Sequence, residues 1–402
     1  MKVIVAPNAF KDSLTAAEAA EAISRGVKAV LPEAETVHVP IADGGDGLFE
    51  VFRTVFGGET VSLDVSGPLG DRRKAQFLYI AESQTAVIEM ARASGLALLK
   101  PEERNARATT TAGTGEMALA AIGKGARHII VGIGGSATND GGIGFASALG
   151  VKFLDEADRE VRPIGEDLPK IRKIDISDRG FDPAKITFEA VCDVDNPLCG
   201  GRGAAAVYGP QKGASPDDVK YLDSGLANLA ARVQADLGLN LAEMAGAGAA
   251  GGRGFGLAAF ARAALRPGVE VVLDMVGIDR ELSGADLAIT AEGRVDFQTA
   301  FGKGPAGVGG RAKKMGVPCL ALAGGVAGDI SNLHELGIDA CFSLCPGPIS
   351  LEEAMRNGAE LLARASAQAF RAFLAGRRNA PESHQEELKI VEPMSRKGRA
   401  QR

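Results

Sequence analysis

Four short stretches place ionisable or hydroxyl side chains among glycines directly after apolar runs. "ADGGDG" carries Asp43 and Asp46, "CDVDNPLCGG" carries Asp193, Asp195 and Asn196, and "AEGRVDFQT" carries Glu292, Arg294 and Asp296. The fourth, "GIGGSATNDGG" (132–142), lies between the strand-like "HIIV" and the helix-like "IGFASALG". A strand, a glycine loop and a helix start are the parts of a phosphate cradle, because backbone N–H groups there converge on an anion. This loop offers Gly134, Gly135, Ser136, Asn139 and Asp140, but no lysine. No G-x-x-x-x-G-K-[ST] occurs in the chain, which excludes a P-loop. Cations would have to come from other loops. Lys11, next to Ser13 in "PNAFKDS", and Lys212, Arg294 and Lys303 are the candidates.

Phosphoryl transfer needs a polyphosphate cradle, carboxylates for Mg²⁺, cations over the transferring group and a group that orients the acceptor hydroxyl. Magnesium takes only one or two protein carboxylates and keeps several waters, so Asp43, Asp193, Glu292 and Asp296 are a sufficient pool. Each stretch also has a plainer reading. "ADGGDG" alone is turn chemistry, "GIGGSATNDGG" alone could be a helix N-cap with glycines for packing, and "DVDNPL" could be a turn set by Asn-Pro. Lys11, Lys212 and Lys303 taken singly read as surface lysines. The four histidines are scattered and support no triad or metal cluster. There is no G-x-S-x-G nucleophile elbow, and no G-x-G-x-x-G opens a helix after the first strand.

The elements that must hold these loops follow from periodicity. "KVIVAP" reads as a buried strand and "SLTAAEAAEAISRGVKAVLP" as a helix, with Thr15 and Glu18 spaced for a capping box. "ETVHVPIA" is a second strand and "DGLFEVFRTVFGG" a second helix. From about Gly58, "TVSLDVSGPLG", "RKAQFLYIAES" and "TAVIEMA" suggest an antiparallel meander. An amphipathic helix is expected over 216–236. The tract "AEMAGAGAAGGRGFG" is expected to be an ordered glycine loop, and "LEEAMRNGAELLARASAQAFRAFLAG" one closing helix. From about 285 the α/β rhythm returns. The expected architecture is a flavodoxin/Rossmann-like parallel-sheet α/β domain from both termini (1–65 plus 283–376) with a mixed α/β domain inserted (66–282). The charged stretch 377–402 is expected to be a disordered tail.

Bulk properties are ordinary for a soluble globular protein. The chain has 402 residues, is 46% hydrophobic and carries a net charge of −6. That acidity argues against a nucleic-acid partner. No apolar run reaches the roughly 18 residues of a membrane span, and the N-terminus has no signal-peptide core. Five cysteines without framework spacing suit reduced thiols in the cytoplasm.

Taken together, "VAPNAFKDSLTA", "PIADGGDG", "VIEMARASGL", "TTAGTGEMA", "GIGGSATNDGGIGFASALG", "CDVDNPLCGGRGAAAVYGPQKGA" and "ITAEGRVDFQTAFGKGPAGV" resemble the type I glycerate kinase family. The resemblance runs from residue 1 to about 375. It implies ATP- and Mg²⁺-dependent phosphorylation of D-glycerate, usually to 2-phosphoglycerate, on a two-domain fold whose closing hinge excludes water. Alternatives are a kinase giving 3-phosphoglycerate, a kinase for another small hydroxy acid, and a non-catalytic ligand-binding homologue. Association as a homodimer is left open. Within this reading Asp193 is the expected group for the acceptor hydroxyl. Asp43 and Asp296 are expected for Mg²⁺. Lys11, Arg294 and Lys303 are expected for the substrate carboxylate and the phosphates, since an arginine suits a carboxylate. Ser13, Gly134, Gly135, Ser136, Asn139, Asp140, Asn196, Lys212 and Glu292 complete the expected nucleotide and substrate contacts.

Overall fold

In the computed structural model, which describes residues 1–41, 47–296, 299 and 303–378, the chain separates into two units. One comprises Met1–Pro40, Glu281–Ala300 and the chain from Val308. The other comprises Ile41–Arg280 with Phe301–Gly307.

In the first unit five parallel strands form one sheet: β1 (Lys2–Pro7), β2 (Glu35–His38), β11 (Leu287–Val295), β12 (Cys319–Val326) and β13 (Ala340–Ser343), numbered along the whole chain. Their spatial order is β13-β12-β11-β1-β2. This is the flavodoxin-like order, and its switch point lies between β1 and β11. Val3, Ile4, Val5 and Ala6 are all buried, which is why β1 reads as an unbroken apolar run. The helix Ala16–Lys28 begins with the expected capping box: Glu18 N–H donates to Thr15 Oγ1 at 3.2 Å, and Thr15 N–H donates back to Glu18 Oε2 at 2.9 Å. It packs on the closing helix so tightly that a side chain at Gly26 would collide with the Ala363 carbonyl.

The second unit has a six-stranded mixed sheet. Its strands are β3 (Glu59–Ser66), β4 (Arg72–Ile80), β5 (Thr85–Glu89), β6 (His128–Gly132), β9 (Thr187–Val191) and β10 (Ala264–Arg266), in the order β10-β9-β6-β5-β4-β3. β3, β4 and β5 form the antiparallel meander, while β5, β6, β9 and β10 run parallel. A separate antiparallel pair joins β7 (Lys152–Leu154) to β8 (Lys173–Asp175). The expected amphipathic helix runs from Pro216 to Leu237, capped by Ser215.

Three local expectations change. The boundary between units falls at Pro40/Ile41, so the helix Leu48–Phe56 belongs with β4 and β5, on which it packs. The glycine tract is not a loop throughout: from Ala249 it is the helix Ala249–Ala261, interrupted by left-handed residues at Ala250, Gly251 and Gly252. Its small residues permit close approach, and a Cβ at Gly256 would lie 2.5 Å from the Gly141 carbonyl oxygen. The closing segment is two helices, Leu351–Arg356 and Gly358–Arg378, because Ser350 caps the first and Asn357 leaves helical geometry. The sequence expected as a tail is therefore helical through Arg378; the remainder lies outside the described residues. No helix among the described residues is long and apolar enough to cross a membrane.

Candidate functional site

A pocket of about 670 Å³ opens at the carboxyl ends of β5, β6 and β9 in the second unit. Ligands of parallel sheets bind at this edge because loops and helix starts converge there. Its wall is the glycine loop Gly132–Ser136, faced by Val191–Val194 and Ala249–Ala250, with Tyr208, Gln211 and Lys212 also lining it. Gly134 and Gly135 are exposed to the cavity, and Gly135 has φ of 68°, a conformation that favours glycine. Ser136 is nearly buried and its hydroxyl donates to the Ala250 carbonyl at 3.1 Å. Thr138 N–H donates to Ser136 Oγ at 3.1 Å, so this serine holds the loop in shape.

Asp193 follows just after β9 and lines the pocket. Its Oδ1 accepts from the Gly268 N–H at 3.0 Å, at the start of the helix Gly268–Met275. Desolvation pushes its carboxyl up, and the bond from Gly268 opposes that shift. A carboxylate with raised proton affinity, one oxygen anchored and a cavity before it can orient or accept a hydroxyl proton. Asn196 sits further along the same loop, accepting from Tyr208 OH at 2.7 Å and donating to the Arg202 carbonyl at 2.8 Å.

Lys212 comes from the turn Pro210–Lys212 and is only 2% exposed. Its amine donates to the Thr138 carbonyl at 2.6 Å. Burial pushes the amine down to about 7, while Asp140 pulls it up.

Asp140 and Asn139 do not line the pocket; both are fully buried beside it. Asp140 Oδ2 accepts from Thr111 N–H at 2.8 Å, Thr111 Oγ1–H at 2.7 Å and Gly144 N–H at 3.2 Å, and Oδ1 accepts from Gly142 N–H at 3.1 Å. It thus holds the first turn of the helix Ile143–Ala148. Burial raises its carboxyl, and these donors and Arg253 oppose that. Phe145 N–H donates to Thr111 Oγ1 at 2.8 Å, so the hydroxyl proton points at Asp140. A shell made of donors fits the carboxylate anion. Arg253 is also fully buried, with its guanidinium 5.0 Å from the centre of the Phe145 ring. None of its three guanidinium nitrogens, and neither amide atom of Asn139, has a hydrogen-bond partner among the described residues.

In the first unit Lys11, Ser13, Glu292, Arg294 and Asp296 lie at the carboxyl ends of β1 and β11, the switch point. Asn8 N–H bonds the Ala291 carbonyl at 2.8 Å, which ties the loop carrying Lys11 and Ser13 to β11. Lys11 is exposed, and Ser13 Oγ donates to the Met355 carbonyl at 2.7 Å. Glu292 is buried and accepts from Thr299 Oγ1 at 2.8 Å. Arg294 is exposed and lies 3.2 Å from Asp296 as an ion pair. Lys303, which belongs to the second unit, is half-buried before the helix Gly304–Lys314. Asp43 lies outside the described residues.

Sequence reasoning missed several contributors. Glu89 lines the pocket from the end of β5, accepting from Phe49 N–H at 3.2 Å and Arg92 Nε at 2.8 Å. Tyr208 and Arg253 were also missed. A lone arginine inside the tract "AGGRGFG" was the available signal for Arg253.

The comparisons with known proteins bear on this geometry. The model of the family described as the glycerate kinase family matches residues 3–374. The chain belongs to the glycerate kinase family. It is 45% identical to the glycerate kinase of Bacillus subtilis over 90% of this chain and 95% of that protein. It is 41% identical to the glycerate 2-kinase of Escherichia coli over 94% of this chain and 100% of that protein. A crystal structure of a candidate glycerate kinase 2 from Salmonella typhimurium superposes with a TM-score of 0.83 at 40% identity, covering 94% of this chain and 99% of that one. As a member of the glycerate kinase family, the chain is a phosphotransferase.

Proposed function

We propose that this chain transfers the terminal phosphoryl group of ATP to D-glycerate, forming 2-phosphoglycerate, with Mg²⁺. The observation that carries the reading is the pairing, in one pocket, of an exposed glycine loop with Asp193 at the end of the neighbouring strand. The loop offers N–H donors to phosphate, with the Lys212 amine behind it, and Asp193 offers a base to a hydroxyl. The name of the Escherichia coli relative supports the 2-hydroxyl as acceptor.

In this reading Gly134, Gly135 and Ser136 receive the nucleotide phosphates, and Lys212 adds positive charge beneath them. Asp193 orients the acceptor hydroxyl and takes its proton. Lys11, Arg294 and Lys303 bind the glycerate carboxylate and phosphate oxygens, and an arginine does so with two parallel donors. Ser13, Asn196 and Glu292 support these groups, while Asn139 and Asp140 shape the loop from behind.

For magnesium, no group of three or more potential ligands occurs among the described residues. A cation that takes one or two carboxylates and fills its shell with water and phosphate oxygens does not need such a group. Asp296 with Asp43 would hold it. When bound, the ion would offset charge on the phosphate chain. Five free thiols support residence in a reducing compartment, the cytoplasm.

The test is ADP release from Mg–ATP by the purified chain, with and without D-glycerate. Glycerate-dependent release supports the reading. No increase in release when D-glycerate is added to the folded protein would overturn it.

A further inference from the structure

Beneath the glycine loop lie two buried basic side chains and one buried carboxyl. Lys212, Arg253 and Asp140 are each at most 2% exposed, and the charge of Asp140 acts on both basic groups. Burying an uncompensated charge is costly, and such a group gives up or takes up a proton instead. Arginine does not deprotonate in proteins, so Arg253 carries charge. Asp140 is surrounded by donors and carries the opposite charge. These two balance. A protonated Lys212 would leave the cluster with one excess positive charge and, among the described residues, one hydrogen bond for its amine, to Thr138. A neutral amine keeps that bond and removes the excess.

We propose that Lys212 is a neutral amine in the free protein and becomes an ammonium as the phosphate chain of the nucleotide enters the pocket, so that nucleotide binding takes up one proton. This rests on the reading of the pocket as the nucleotide phosphate site. The arriving anion replaces the missing countercharge, and the proton comes from the buffer. Lys212 is met by Asp140, before the helix Ile143–Ala148, and by the Tyr208 ring at 6.0 Å; Arg253, on the helix Ala249–Ala261, is met by the same Asp140. Asp193 lines the same pocket. Tyr208 is engaged with Asn196, and its hydroxyl is pushed up by burial, so it stays neutral. The position of Lys212 is fixed by the backbone. Gly213 follows it with φ of 90°, and a side chain there would collide with the Arg104 carbonyl. The downward push of burial on the amine, to about 7, agrees with the charge argument.

The experiment is calorimetric titration of Mg–ADP into the full chain near pH 8, in buffers of different ionisation enthalpy. Observed enthalpy should vary with buffer enthalpy with a slope of roughly one proton taken up per nucleotide. Adenosine, which lacks phosphate, should show no uptake. Folded Lys212→Met and Lys212→Arg should bind Mg–ADP without proton uptake. Should either variant not fold, the wild-type pH series still decides. Affinity for Mg–ADP should fall up to about tenfold per pH unit above 8. Binding with zero slope in the wild type, or the same uptake in a folded Lys212→Met, would overturn the inference while leaving the nucleotide pocket intact. Absence of any nucleotide binding heat from the folded protein, with affinity undetectable at every pH, would instead overturn the reading on which it rests, and the inference with it.

Discussion

Lys212 donates to the Thr138 carbonyl at 2.6 Å across 74 residues of sequence. The glycine loop of this pocket lacks a lysine of its own, and this bond brings one to it from the turn after the helix Ala204–Tyr208. The chemistry of a phosphate cradle is thereby assembled from separate segments rather than from one motif.

Lys212 links stability to pH. Its folded-state amine titrates near 7 against an ordinary value of 10.5. Between those values the unfolded chain binds more protons than the folded one. Stability therefore rises with pH across that window, by at most about 1.4 kcal/mol per unit for one proton. Urea unfolding between about pH 7 and 9 should show a shallower rise for Lys212→Met than for wild type. Equal slopes would mean that the amine is not the buried titrating group.

Asp193 is expected to act on the acceptor hydroxyl. Asp193→Asn keeps an oxygen to accept from Gly268 but removes the base. Turnover of glycerate should fall about 10²-fold or more with little change in melting temperature. Turnover close to wild type would remove Asp193 from that role.

Asp140 is expected to matter for folding before catalysis. Asp140→Ala would strand the donors from Thr111, Gly142 and Gly144 and leave Arg253 without its buried counter-charge. Loss of a buried partner of this kind costs about 3–5 kcal/mol. Denaturant unfolding should register that loss, and a change below about 1 kcal/mol would show the shell to be dispensable.

The elements were largely legible because their periodicities are local. The Thr15–Glu18 capping box, the meander β3–β5 and the helix from Pro216 each follow from residues within a few positions. The chain's glycine-rich strand ends were also visible as candidate chemistry. What was not visible depended on packing between distant segments. Asp140 and Gly134 lie six residues apart, yet one is sealed against Thr111 and the other faces the cavity. Arg253 looked like part of a loop because its tract is composed of small residues. Those residues instead let a helix approach Gly141 and Gly142 closely. The split of the closing helix falls at Asn357-Gly358, a turn dipeptide set inside a longer helical period that outweighs it.

Asp43 is proposed, with Asp296, to hold magnesium. Asp43→Asn should raise the Mg²⁺ concentration needed for half-maximal turnover by about tenfold, while the glycerate concentration dependence changes little. An unchanged magnesium titration would make "ADGGDG" a turn and nothing more.

Phosphorus NMR of the product formed from D-glycerate and Mg–ATP tests the central claim most directly. A new phosphoester resonance coupled to the single proton on C2 is the predicted result, and it would identify 2-phosphoglycerate. Coupling to the C3 methylene protons would contradict the proposed acceptor hydroxyl. No new phosphoester from the folded, nucleotide-binding protein would contradict the account as a whole.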